Sequence, residues 1–86
     1  MTGRAPDTAW TVYLLRCADN TLYCGCTNDL ARRVQEHRAG RAAKYTKGRR
    51  PVKLAASRSG LTKAAAHQLE YAVKRLPRRE KVRRLG

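Results

Sequence analysis

Apolar and polar positions alternate along the chain in a way that sets out a short series of elements. Residues 11–17, TVYLLRC, are β-branched, aliphatic and aromatic and predict a strand. Ala18-Asp19-Asn20-Thr21 is turn chemistry, because Asp and Asn tolerate the backbone of a tight hairpin. Residues 22–27, LYCGCT, predict the return strand, and Gly25 inside it marks a bulge or a close backbone approach. A three-residue loop of Asp19, Asn20 and Thr21 pairs Ala18 with Leu22 and puts Tyr13 and Tyr23 on one face. A loop of even length would put the two tyrosines on opposite faces, since strand side chains alternate.

The period then changes to that of a helix. Asn28 is a good N-cap for a helix over 29–38, Asp29 suits its first turn, and Gly40 ends it. At helical spacing Arg33 and His37 share the apolar stripe of Leu30 and Val34, while the adjacent Arg32 points to solvent. Residues 40–50, GRAAKYTKGRR, read as a basic loop bounded by glycine. A third strand is expected over 51–57 and a turn at Arg58-Ser59-Gly60. Thr62 caps a second helix over 63–76, with its stripe at Ala65, Leu69, Val73 and Leu76. Pro77 closes that helix or opens a short terminal one over 78–84. Residues 1–9 have no period and are expected to be a flexible lead to a single domain over 10–86.

Charge adds the partner. The 86 residues carry 20 Lys/Arg against six Asp/Glu, a formal net charge of +14. Such an excess argues for a polyanion, and nucleic acid is the commonest one. A membrane surface would need a broad apolar helix face, and the most basic segment, PRREKVRRLG, offers only Val82 and Leu85. The first ten residues hold no apolar core of a signal peptide, and no apolar run approaches the roughly 18 residues of a bilayer span. The expectation is a cytoplasmic chain whose three cysteines are reduced thiols.

Each candidate for chemistry has a plainer reading beside it. Arg33 and His37 are four apart and meet on one helical face, where they can steady charge on a reacting phosphate; equally, Arg33 can leave the stripe edge for solvent and His37 be a satisfied buried histidine. Tyr13 and Tyr23 can be strand tyrosines packed on the core with wet hydroxyls. A tyrosine is a poor base at neutral pH unless cations or a metal surround it. Glu70 can be a surface partner for Lys74, yet it is the one helical carboxylate flanked by apolar Leu69 and Tyr71. Several clustered carboxylates, as a two-metal site needs, are lacking, whereas one carboxylate with water ligands suits Mg²⁺. Cys17, Cys24 and Cys26 match zinc spacing poorly and read as small packing residues. The runs Lys47-Gly48-Arg49-Arg50 and Arg78 to Arg84 suit sequence-tolerant binding to a nucleic-acid backbone.

Taken in order, these residues resemble the GIY-YIG nuclease superfamily, in particular its small stand-alone bacterial members. Val12-Tyr13 stands where the first signature ends in tyrosine, and Tyr23-Cys24-Gly25 where the second, Tyr-x-Gly, lies. Arg33 follows Tyr23 by ten residues and His37 by fourteen, at the places of the family's arginine and its histidine or tyrosine. Glu70, in LEYAVK, matches the metal-binding glutamate. Thr11 replaces a signature glycine, and Cys26 stands where some members carry lysine. The resemblance spans residues 10–76 and implies an α+β fold, a three-stranded antiparallel sheet flanked by helices. It also implies hydrolysis of phosphodiester bonds in DNA by a single metal, Mg²⁺ or Mn²⁺, held at Glu70. Tyr13, Tyr23, Arg33, His37 and Glu70 would be catalytic, and Gly25, Lys44, Lys47, Arg49 and Arg50 would meet the substrate. Relatives usually carry a separate DNA-binding domain, so a partner protein supplying specificity is an expectation too. The competing reading is a basic nucleic-acid-binding accessory protein without cleavage activity.

Overall fold

The computed structural model describes residues 7–86. Most of the expected flexible lead lies outside them; residues 7–9 belong to no helix or strand. The elements run β1 (Trp10–Arg16), β2 (Leu22–Thr27), α1 (Leu30–Arg38), α2 (Lys44–Lys47), β3 (Lys53–Leu61), α3 (Lys63–Lys74) and α4 (Arg78–Leu85). The sheet is antiparallel in the order β2-β1-β3, so the fold is the α+β arrangement expected.

Central β1 is covered on both faces, which explains its near-continuous apolar sequence. Tyr13 and Leu15 at its odd positions, with Cys17 just after it, pack with Val34 and Leu30 of α1, with Tyr23 and with Val52. Its even positions Val12 and Leu14 pack with Cys24 and with Ala66, Leu69 and Val73 of α3 and Leu85 of α4. Val12, Leu14 and Leu15 are fully buried, and each contributes about 1.5–3 kcal/mol relative to exposure. The two apolar residues of the basic tail, Val82 and Leu85, belong to this second core. No described helix is long and apolar enough to cross a membrane.

The hairpin loop has three residues, but it is Ala18-Asp19-Asn20 and not Asp19-Asn20-Thr21. Arg16 pairs with Leu22, and the Cys17 amide donates to the Thr21 carbonyl at 2.9 Å. Asn20 takes the left-handed position at φ 68° that such a loop requires at its end. The Asp19 carboxylate accepts from the Thr21 amide and hydroxyl. The Ala18 amide donates instead to the Arg49 carbonyl, at 2.8 Å, so it is not free to pair with Leu22. The slip preserves parity, and both tyrosines stay on the α1 face.

Other boundaries move too, α3 ending at Lys74 before the expected Leu76. Asp29, not Asn28, caps α1, its carboxylate accepting from the Arg32 amide at 3.2 Å. β3 runs through the expected turn: Trp10 pairs with Leu61 and Val12 with Arg58, so one extra β3 residue bulges there, with Gly60 at φ 76°. Turn chemistry at Ser59-Gly60 is thus absorbed as a bulge. The expected loop over 40–50 contains the short helix α2, which matters for the site.

Candidate active site

Gly25 on edge strand β2 is opposite Tyr13 on β1. A Cβ at Gly25 would stand 2.5 Å from Tyr13 Oη, so the glycine is what allows the tyrosine to lie over the edge strand. The gap opens a cleft of about 250 Å³. Residues from both sheet faces reach it: Tyr13, Tyr23, Arg33 and His37 from the α1 side, and Cys26, His67 and Glu70 from the α3 side. All five residues expected to be catalytic therefore line one cleft. Ala42 and Ala43 close its wall.

Beneath the cleft runs a directed chain of hydrogen bonds. The Thr46 hydroxyl donates its one proton to the Ala43 carbonyl at 3.1 Å. It then accepts from His37 Nδ1–H at 2.8 Å, which leaves His37 Nε2 as an acceptor for the Tyr13 hydroxyl at 2.9 Å. His37 is 1% exposed. Burial first, then the neighbouring Arg33 charge, hold its pKa below the ordinary histidine value, which keeps it neutral and able to accept. Burial, reinforced by Tyr23, pushes the Tyr13 phenol well above its usual range against the opposing pull of Arg33. Tyr13 is thus a protonated phenol with a built-in acceptor for its proton.

Tyr23 stacks in an aromatic group, its ring 5.1 Å from His37 and 5.7 Å from Tyr45. Burial raises its phenol pKa as well, against the nearby Lys74 charge. Its hydroxyl makes no side-chain hydrogen bond among the described residues. The two adjacent arginines differ as the helical stripe predicts: the Arg32 side chain is 76% exposed and that of Arg33 44%. Only Arg33 lines the cleft, loosely paired with Glu36 at 3.6 Å.

Glu70 is held from two sides. Lys74 Nζ lies 2.9 Å from Oε2, and the Cys26 thiol donates to Oε1 at 3.1 Å. Partial burial alone would raise the Glu70 carboxyl, but these two contacts keep it below the usual carboxylate value. Burial first, then the same bond to Glu70, push the Cys26 thiol up to about 12. A half-buried, ionised carboxylate beside an open cleft of about 250 Å³ fits a hard cation that keeps most of its hydration.

The basic loop divides into two pairs. Arg49 donates to Asp19 Oδ2 at 2.9 Å and to the Tyr45 carbonyl at 2.8 Å, and lies 4.0 Å over the Tyr45 ring. Arg50 donates to the carbonyls of Lys47 and Arg38. Both arginines therefore tie α2 to the hairpin and to the end of α1. Lys44 and Lys47 are exposed.

Three contributors to the site are absent from the candidates that the sequence pattern picks out. Thr46 carries no local signal; only the fold brings it under His37. Tyr45 reads as one aromatic in a basic loop, and nothing local announces its stack on Tyr23. His67 has a signal, since it is one of two histidines and lies one turn before Glu70.

Comparisons with known proteins bear on the family and the fold. The family model described as the GIY-YIG catalytic domain matches residues 9–83. A UPF0213 protein of Nitratidesulfovibrio vulgaris is 48% identical over 80 residues, covering 93% of this chain and 72% of that protein. The UPF0213 protein YazA of Bacillus subtilis is 51% identical over 69 residues, covering 80% of this chain and 70% of its own length. The solution NMR structure of a UPF0213 protein from Bacillus halodurans superposes with a TM-score of 0.54 at 43% identity, covering 86% of this chain and 79% of that one.

Proposed function

Because this chain belongs to the GIY-YIG catalytic domain family, a nuclease family, we propose that it is a divalent-cation-dependent endonuclease that hydrolyses phosphodiester bonds in DNA. The observation that carries this reading is the single cleft shared by Tyr13, Tyr23, Arg33, His37 and Glu70.

Glu70 would hold Mg²⁺ or Mn²⁺ together with water, and the ion when bound would polarise a phosphoryl oxygen. Tyr13, not Tyr23, takes the proton of the attacking water. It can do so despite its high pKa because it passes its own proton to His37 Nε2 as it accepts the new one, so a free phenolate is never required. Thr46 holds the His37 ring in the tautomer that makes this possible. Arg33 faces the negative charge that develops on the phosphate, and removing a donor of this kind costs on the order of 10²–10³ in rate. Gly25 lets the substrate backbone approach the edge strand. Lys44 and Lys47 grip phosphates, and Arg49 and Arg50 hold the loop that carries them. A partner protein can supply further specificity. The three free thiols suit a reducing, cytoplasmic setting.

The test is a panel of branched and linear DNAs incubated with Mg²⁺ and with Mn²⁺. Glu70→Ala and Arg33→Ala should each lose cleavage, while Glu70→Ala still binds DNA. Full cleavage by Glu70→Ala would overturn the reading. DNA binding without cleavage under any divalent cation would assign the chain to the accessory-protein reading instead.

A further inference from the structure

On the α3 side of the cleft, three side chains of different chemistry converge. Cys26 Sγ is 3.7 Å from His67 Nδ1 and 3.1 Å from Glu70 Oε1, and His67 Nδ1 is 3.8 Å from that same oxygen. Together they form the one group of potential ligands among the described residues whose donor atoms all lie within 4.8 Å of one another. We infer that Cys26, His67 and Glu70 form a binding site for a thiophilic divalent cation of the zinc class, with three protein ligands and one open position.

The spacing supports this directly. Tetrahedral zinc with Zn–S of ~2.3 Å and Zn–N and Zn–O of ~2.0–2.2 Å places sulfur about 3.6 Å from nitrogen or oxygen, and nitrogen about 3.4 Å from oxygen. The three observed separations depart from these by about half an ångström or less, which small side-chain rotations correct. The arrangement of Glu70 is equally suited. Lys74 holds Oε2, so Oε1 alone faces the sulfur and the imidazole, and Lys74 orients the ligating carboxylate from behind. His67 lies beside the Trp10 ring at 5.7 Å between centroids. On binding, the metal–sulfur bond replaces the S–H bond, and the thiol proton that now bonds Glu70 leaves to solvent.

Sulfur and imidazole donors select against Mg²⁺, which prefers oxygen and retains its water. The cleft thus has two different cation chemistries that share one carboxylate. The site stands on its own geometry. One consequence does rest on the nuclease reading: the two ions compete for Glu70, so a zinc-class ion switches cleavage off.

Cobalt is the probe. The reduced full chain, freed of metal by chelator, is titrated with Co²⁺ in the absence of oxygen. A thiolate-to-cobalt charge-transfer absorption with the intense visible bands of tetrahedral coordination should grow to one equivalent. Zn²⁺ should displace it stoichiometrically, and a large excess of Mg²⁺ should not. Cys26→Ser should lose the charge-transfer absorption, and His67→Ala, which removes a ligand itself, should bind Co²⁺ at least about 10-fold more weakly. Absence of the absorption from the folded wild-type chain overturns the inference, as does its persistence in Cys26→Ser, which would point to Cys17 or Cys24. Zn²⁺ titration of the wild-type chain by NMR decides the matter even where a variant does not fold: His67 resonances should move and those of His37 should not. The converse pattern overturns the site. None of these readouts depends on cleavage, so failure of the nuclease reading would be seen separately.

Discussion

Gly25→Ala isolates the close approach on which the cleft depends. The added methyl would stand 2.5 Å from Tyr13 Oη and 2.7 Å from Tyr13 Cζ, where ordinary contacts lie at about 3.5 Å. The Tyr13 ring must therefore retreat by about 0.8–1 Å. It has nowhere easy to go, being 2% exposed and packed on Leu15, Val34 and Tyr23. Overpacking of this kind costs about 1–3 kcal/mol, and about 2 kcal/mol lowers the Tm of a domain this size by roughly 10 °C. The retreat also lengthens the 2.9 Å bond from Tyr13 to His37. A misplacement near 1 Å at a reacting group costs about 10²-fold in rate. The assay pairs thermal unfolding by circular dichroism with initial cleavage rates in Mg²⁺. Gly48→Ala is the control, because a Cβ there meets nothing within 4 Å, and it should stay within about 0.5 kcal/mol of wild type. A Gly25→Ala chain with wild-type Tm and wild-type rate would refute the idea that the glycine makes room for Tyr13.

Other expectations follow from the same geometry. Thr46→Val leaves the buried His37 Nδ1–H without its acceptor and should destabilise the fold by about 1–3 kcal/mol in urea unfolding; an unchanged midpoint would contradict the relay. Burial and then Arg33 depress the His37 pKa, so the histidine should titrate by NMR below about 6.5 and move upward in Arg33→Gln. The sign for stability follows: the unfolded chain takes that proton first, so this contribution is present above about pH 6.5 and is lost as the pH falls below it. A fold that gained stability on acidification across that range would count against a neutral buried His37. Lys44→Ala with Lys47→Ala should reduce the slope of log affinity for DNA against log salt by about 0.9 for each phosphate that is no longer neutralised. Arg49→Ala should instead act on stability, because it unties α2 from Asp19; anisotropy titrations and thermal melts separate the two effects.

Much of the architecture was legible because its cause is local. Strand composition in β1 and β2 and the Thr62 cap act within a few residues, and the structure keeps them; of the expected α3 stripe it keeps Leu69 and Val73, with Ala66 buried in place of Ala65 and Leu76 beyond the end of the helix. The nonequivalence of Arg32 and Arg33 follows from helical period alone. Shared facing of Tyr13 and Tyr23 needed only an odd loop, and parity survives the one-residue displacement of that loop. Other features answer to groups distant in sequence. The hairpin loop shifts because the Ala18 amide bonds Arg49. β3 extends because β1 is there to pair it, turning expected turn residues into a bulge. The direction of the proton relay depends on Thr46, brought under His37 by a helix whose sequence does not announce it. Residue types and their order thus determined which chemistry the chain contains. Only tertiary structure decided what each group faces, because Tyr13 and Glu70 belong to opposite sides of the sheet and meet solely where Gly25 leaves the edge strand open.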